Sequence, residues 1–352
     1  MTSDAPISLE DTPNLLDDRL TAEIPRLMEQ AHVPGLSIAL VRDAAIAWQH
    51  GFGLKRANTP EPVEPDTVFQ AASLSKPVFA YAVLKLAERG RLALDTPLTL
   101  YPPDRYAPDD PLLDQITARH VLSHTTGWPN WRPEGQPLRR ERAPGKGFGY
   151  SGEGYNYLQR VVEQLVGRPL DAYMKDALLD PLGMTHSSYA WATPDNLGMA
   201  MGHDRAGNTA DPFTGARLEA ASSLHTTPHD LARFLVALMS PGDEPWRLRP
   251  EGLAEMLRAR IHLTPAVFWG LGWGLEDTGD GRMIWHWGDN PGYKCFVLAS
   301  LEAQTGVVIM ANGDGGIKLW EPIVHLVLGG DHPAFAWLAS FYGVATLADA
   351  LK

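Results

Sequence analysis

The sequence predicts an α/β (α+β) fold: one antiparallel sheet flanked by helices, with an all-helical domain inserted between its strands. Three observations predict it. Two adjoining apolar strand-like runs lie near the start of the chain, and several more lie between residues 269 and 311. Between them, residues 91–220 carry helix-like segments and long loops rich in Pro, Gly and Trp, without strand alternation. The simplest assembly pairs the early hairpin with the late meander in one sheet. Residues 1–90 and 221–352 then form an α/β domain, and residues 91–220 a helical domain.

The elements follow in order. Leu16, Leu20, Ile24, Leu27 and Met28 recur at helical spacing, and Pro34-Gly35 stops that helix. Gly35 to Arg42 and Ala45 to Gly53 read as a hairpin by the shortness of their connection, although the turn at Asp43-Ala44 lacks glycine. Residues 73–90 form a helix that is apolar nearly all round, which predicts burial. Ala118 to Ser123, Gly154 to Val166, Leu170 to Leu179 and Pro228 to Met239 carry further helix signals. Trp269 to Leu275, Met283 to Trp287, Tyr293 to Ala299 and Gly306 to Ala311 read as an antiparallel meander, because turns rich in Gly, Asp and Asn separate them. Helices at Leu319 to Leu328 and Ala334 to Leu351 close the chain.

Composition narrows the function. Hydrophobic residues make up 44% of the 352 and charged residues 20%, an ordinary globular balance that supplies a sizeable core. The net charge of −12 leaves no basic surplus for phosphates, so nucleic acid and anionic membranes are not expected partners. Cys295 is the single cysteine, so an intrachain disulfide and a cysteine metal site are both excluded; a cytoplasmic location is expected. The opening residues MTSDAPISLEDTPNLLDD lack the basic and apolar regions of a secretory signal. No run reaches the roughly 18 apolar residues that span a bilayer.

Chemistry concentrates in three segments. In Phe69-Gln-Ala-Ala-Ser73-Leu-Ser-Lys76-Pro77, Ser73 stands just before the buried helix and Lys76 follows one helical turn later on the same face. Pro77 is tolerated only in a first turn, which fixes the helix start near Ser73. A desolvated lysine loses its proton near neutral pH and can accept one from serine, a pairing suited to acyl transfer. A serine there would otherwise be a plain N-cap. The second segment, Phe148-Gly-Tyr150-Ser151-Gly152-Glu153-Gly154, holds a tyrosine in a glycine-rich loop ahead of a helix; a phenol held near an ammonium can lose its proton well below its usual pKa and act as a base. The third, Trp285-His286-Trp287-Gly288-Asp289-Asn290-Pro291-Gly292, ends one strand and turns into the next, exposing backbone N–H groups toward a cleft.

The order S-x-x-K, Y-S-G, H-x-G resembles the three motifs of the serine β-lactamases and penicillin-binding proteins, closest to class C β-lactamases, D-aminopeptidases and family VIII carboxylesterases. The resemblance covers nearly the whole chain: Pro34 to Ala39 is similar to the family's first strand, and Leu84 to Leu94 to its post-nucleophile helix and turn. Arg119-His-Val-Leu-Ser-His-Thr-Thr-Gly127 and Pro181-Leu-Gly-Met184 resemble further family segments. The resemblance implies the serine β-lactamase/DD-peptidase-like fold, with the cleft between its two parts. It makes Ser73 the nucleophile, and gives Lys76 and Tyr150 the acid and base work, with the choice of base between them open. His286 takes the place often held by a lysine, the N–H groups of Ser73 and Asp289 form the oxyanion hole, and Gly152, Trp287 and Gly288 face the substrate.

Two departures bear on the substrate. Gly152 stands where the family usually has Asn, which removes an amide able to hold a substrate carbonyl. His286, partly charged at neutral pH, is no permanent cation for a β-lactam carboxylate. Both lean toward a serine hydrolase of small esters or amides without metal or cofactor. Alternatives are a D-amino-acid amidase or D-stereospecific peptidase, a weak β-lactamase, an acyltransferase, and a non-catalytic sensor that holds its adduct. The partner is a small ester, amide or peptide, and the oligomeric state is left open.

Weaker signals have simpler explanations. His120 and His124 lack the intervening Glu of a zinc pair, and Gly145-Lys-Gly-Phe-Gly149 lacks the Ser or Thr and the preceding strand of a phosphate loop. Trp128, Trp131, Trp269, Trp273, Trp285 and Trp287 lie near the motifs and are candidates for an apolar pocket, with Trp287 expected at the cleft mouth.

Overall fold

The computed structural model describes residues 13–101, 106–190, 198–210 and 218–350; the first twelve residues of the stretch read for a leader, and the side chain of Leu16, lie outside them. Helix α1 (Pro13–Ala31) leads into a hairpin of β1 (Gly35–Arg42) and β2 (Ala45–Gly53), then β3 (Phe69–Gln70) and α2 (Ser75–Glu88). The middle of the chain holds α3 (Ala118–Leu122), α4 (Gly152–Val166) and α5 (Leu170–Met174). After β4 (His225–Thr226) come α6 (Pro228–Met239), α7 (Pro250–Met256), β5 (Ile261–His262), β6 (Val267–Trp269), β7 (Gly274–Thr278), β8 (Gly281–Asn290), β9 (Tyr293–Ser300) and β10 (Thr305–Ala311). Helices α8 (Ile317–Leu328) and α9 (Pro333–Phe341) complete the described elements.

An eight-stranded sheet runs in the order β2-β1-β10-β9-β8-β7-β6-β5, and every pairing in it is antiparallel. The early hairpin joins the late meander through β1 and β10, with Ile38 opposite Ile309. Strands β1, β9 and β10 are buried along nearly their whole length, and their alternate residues enter different cores. Leu36, Ile38, Phe296, Leu298, Val307 and Ile309 pack with α1, α8 and α9. Ala39, Val41, Cys295, Val297, Val308 and Met310 face the core that includes α2, α4 and α6. Cover on both faces explains why these strands read as continuous apolar runs instead of alternating ones.

The hairpin turn solves its missing glycine at a cost. Asp43 and Ala44 both adopt left-handed backbone, φ 52° and 53°, the geometry that matches strand twist in a two-residue loop. For alanine this is strained by about 1 kcal/mol, and the Ala44 N–H donates to Gln304 O from the neighbouring turn.

Two elements differ from the sequence expectation. The run Trp269 to Leu275 is not one strand: the chain reverses at Gly272, φ 90°, and divides it between β6 and β7. The last helix ends at Phe341, where Gly343 takes φ 70° and the chain turns away; Leu351, the expected end, lies outside the described residues. No helix among the described residues is long and apolar enough to cross a membrane.

Candidate active site

Ser73 lies in a short 3-10 turn, Ala72–Leu74, that feeds straight into α2. Its side chain is not spent on capping, since Leu74 holds the N-cap position of α2 without a side-chain hydrogen bond. Ala72 just before it is held at φ 49°, a strained conformation for alanine. The neighbours over-determine it: Ser75 Oγ donates to Ala72 O and accepts from the Leu224 N–H, and the Ala71 N–H donates to Leu224 O. Cys295 Sγ donates to Gln70 O, and burial pushes this thiol up to about 12.

Helical spacing puts Lys76 where the motif needs it. Lys76 Nζ donates to Ser73 Oγ at 3.0 Å and to Ala221 O at 2.9 Å. The side chain is fully buried, and desolvation lowers its pKa from 10.5 to about 7, while the charge of Glu219 pulls it back up. Three rings surround the ammonium: Tyr150, Tyr155 and Trp131, with centroids at 4.8, 5.6 and 5.9 Å. Glu219 itself is held by Asn156 and Ser222. The sequence reading missed Glu219 and Ala221. They lie in a run of small residues with no chemical signature, and only folding brings them to α2.

Tyr150 is placed by the start of α4. Ser151 caps that helix, accepting the Gly154 N–H at 3.1 Å and donating to Pro129 O. The Tyr150 ring stacks on His124 at 4.2 Å and packs on Trp287 at 4.9 Å. His124, at φ 54°, accepts the Ser151 N–H on Nδ1, so it serves as a support beneath the tyrosine. His120 contacts Thr117 in the capping box of α3, and Gly145 and Gly149 donate their N–H groups to Thr125 O and His124 O. Among the described residues no group of three His, Cys, Asp or Glu side chains is placed to hold a metal.

Burial corrects the expectation for Tyr150. Desolvation raises the phenol well above its ordinary range, and only Ser73 draws it down. Its hydroxyl is buried without a hydrogen-bond partner of good geometry. The phenol therefore keeps its proton, and Lys76 is the group near neutrality. His286 is corrected in the same way. It is fully buried, and burial together with the charge of Lys76 lowers it to about 3, so it is neutral and not partly charged at pH 7. Its Nδ1 donates to Trp287 O at 2.8 Å, which leaves Nε2 as a buried acceptor without a partner.

The third motif meets the Ser73 turn through β8. Strand β7 pairs with β8 only as far as Trp285, so the stretch beyond has no strand on that side. There Gly288 touches the turn: a Cβ on it would lie 2.2 Å from Ala71 O and 3.3 Å from Ala72 Cβ. Asp289 follows, with its carboxylate turned onto Lys294 at 2.9 Å and accepting from Tyr342 at 2.9 Å. The carboxylate is thus engaged within the protein.

Trp287 is not at the cleft mouth. It is 3% exposed and lies beneath Tyr150 among Trp285, Trp337 and Phe341. Trp128 is buried too, donating to Asp110, which also pairs with Arg140 at 2.5 Å. The tryptophan beside the site that is open to solvent is Trp131, 42% exposed.

A buried lysine bonded to a serine, with a protonated tyrosine against it, is equipped for acyl transfer. The fold and this cluster define a class: proteins built on an antiparallel sheet with a helical cover that bury a lysine against a serine at the start of a helix. The family profile described as Beta-lactamase matches residues 20–327, and the chain belongs to that family. Esterase EstB of Burkholderia gladioli is 28% identical over 351 residues, covering 80% of this chain and 87% of that protein. Protein flp of Staphylococcus aureus (strain N315) is 22% identical over 305 residues, covering 81% of this chain but 61% of its own length. A class C beta-lactamase has the same fold at TM-score 0.81 and 19% identity, covering 92% of this chain and 99% of that one. SurE aligns at TM-score 0.75 and 26% identity, covering 91% and 78%.

Proposed function

We propose that this protein hydrolyses small carboxylic esters through an acyl-enzyme on Ser73. One observation carries the reading: a lysine driven to about 7 by burial sits 3.0 Å from the serine oxygen. Neutral Lys76 accepts the Ser73 proton as Oγ attacks the substrate carbonyl carbon. The oxyanion that forms is held by the N–H groups of Ser73 and Asp289. As the intermediate collapses, Tyr150 gives its proton to the departing alkoxide and recovers one from the Lys76 ammonium. A water then attacks the acyl carbonyl, its proton passes to the lysine–tyrosine pair, and Ser73 leaves reprotonated with release of the acid. The likeness to an esterase supports esters as the substrate. The neutral, buried His286 supports it too, since no cation stands there for the carboxylate that a β-lactam carries.

The test is a turnover assay with p-nitrophenyl butyrate, a chromogenic cephalosporin and a D-alanine anilide, each repeated with Ser73→Ala. Repeated turnover of the ester alone, abolished by Ser73→Ala, is the expected result. Preferred turnover of the cephalosporin or the anilide overturns the ester assignment. One equivalent of product with a lasting mass adduct makes the protein an acylating sensor.

A further inference from the structure

Gly152 occupies the position where relatives of the Y-S-N type carry an amide, and the space is already filled. A Cβ on Gly152 would lie 2.3, 2.6 and 2.7 Å from Cη2, Cζ3 and Cζ2 of Trp131. The six-membered face of the indole stands where the side chain would start. Glycine and tryptophan are therefore one device: neither a larger residue at 152 nor a different ring position at 131 fits with the other unchanged.

The backbone on both sides of the indole is held in place. Asn130 O accepts the N–H groups of Gly152 and Glu153 at 3.0 Å each, and Asn130 Oδ1 accepts the Gly152 N–H at 2.9 Å. On the other side, the Arg132 N–H donates to Glu153 Oε1 at 3.0 Å, and its guanidinium pairs with the same buried carboxylate at 2.6 Å. Tyr106 adds a hydrogen bond to Glu153 at 2.7 Å. Residues 130 and 132 are thus fastened to the first turn of α4, and Trp131 between them has little backbone freedom to lose on binding.

The ring is open to solvent and lies 5.9 Å from the Lys76 ammonium. Among the described residues the exposed large apolar side chains are Leu100, Trp131 and Phe341. Phe341 stands 6.0 Å from the Tyr150 ring, so two of the three belong to the rim of this site. An exposed aromatic surface on fastened backbone beside these groups suits a ligand, because the backbone's ordering cost is already met in the free protein.

From this we infer that Trp131 is a specificity-determining residue: it replaces a hydrogen-bonding amide by a flat apolar wall, and selects esters with an aromatic ring next to the scissile carbonyl. The inference rests on the proposal that Ser73 is acylated. Acyl groups that offer a carbonyl to an amide lose their partner here, whereas an aryl ring gains a stacking face.

The experiment compares p-nitrophenyl phenylacetate with p-nitrophenyl butyrate, which share a leaving group and differ in the acyl part. A fluorophosphonate probe read by intact mass first establishes Ser73 as the reactive nucleophile: its Oγ displaces fluoride to give a phosphonyl adduct that Ser73→Ala lacks. The wild type is expected to favour the phenylacetyl ester in kcat/KM. Trp131→Ala is expected to cut that preference by roughly three- to tenfold, the range of one aromatic contact, and Trp131→Phe to keep most of it. Gly152→Ala is expected to displace the indole and lower the preference similarly, but to add nothing in the Trp131→Ala background. An unchanged preference in Trp131→Ala, with Ser73 still labelled by the probe and the variant melting like wild type, overturns the role of Trp131 alone. No adduct on wild-type Ser73 overturns the acyl-enzyme reading and this inference together. Should Gly152→Ala unfold the protein, the Trp131→Ala and Trp131→Phe pair still decides.

Discussion

Replacing Lys76 by methionine is expected to abolish activity and yet raise the melting temperature at acidic pH. Burial takes the ammonium from 10.5 to about 7. At about 1.4 kcal/mol for each tenfold change in proton affinity, burying the charged form costs the fold about 5 kcal/mol. Methionine fills a similar volume without charge. Against that gain, Ser73 Oγ and Ala221 O lose a donor, at about 1 kcal/mol each. The net stabilisation at pH 6 is about 2–3 kcal/mol, or roughly 5 °C for a chain of this size. Its pH dependence identifies the cause. Below pH 7 the lysine is charged in both folded and unfolded chains, so the wild type bears the whole cost. Between about 7 and 10.5 the unfolded chain binds the additional proton, and wild-type stability rises with pH. By pH 9 about 3 kcal/mol of the penalty has gone, and the two melting curves converge. Thermal unfolding of both proteins at pH 6 and pH 9 reads this directly. A gap of equal size at the two pH values, or a variant melting below wild type at pH 6, refutes the desolvated-lysine argument.

Three further outcomes follow from the site. The kcat/KM profile should rise with pH through about 7, because the neutral lysine is the base; Glu219→Gln removes the charge that raises Lys76, so the ascending limb should move to lower pH, and a shift to higher pH refutes the assignment. Tyr150→Phe should lower kcat about a hundredfold or more with little change in melting temperature, since among the described residues the hydroxyl has no hydrogen-bond partner of good geometry; near-normal kcat in a properly folded variant would remove Tyr150 from the mechanism. Gly288→Ala places a Cβ 2.2 Å from Ala71 O, a backbone atom that cannot swing aside; it should cost about 1–3 kcal/mol in denaturant unfolding and most of the activity, and a stable, fully active variant contradicts the close approach of β8 to the nucleophile turn.

The sequence by itself determined what rests on short-range periodicity. The hairpin, the limits of α6 and the strands β9 and β10 follow from apolar spacing and turn residues a few positions apart. The serine and lysine meet because three residues make about one helical turn, a relation internal to the chain. The division of Trp269 to Leu275 into two strands was hidden, because an apolar run looks the same whether or not a glycine inside it takes a left-handed turn.

Only the tertiary structure decided the electrostatics and the walls of the site. Lys76 meets Ala221 O across 145 positions of sequence, and its proton affinity is set by how completely the fold strips water from it. The same desolvation acts with opposite sign on an acid and a base: it keeps the proton on Tyr150 and removes it from His286. Likewise Trp287 and Trp131 are the same residue type near the same motifs, yet one is sealed beneath Tyr150 and the other stands open beside Gly152. Residue type fixes what a side chain can do chemically, whereas burial and neighbours from distant segments fix which of those things it does.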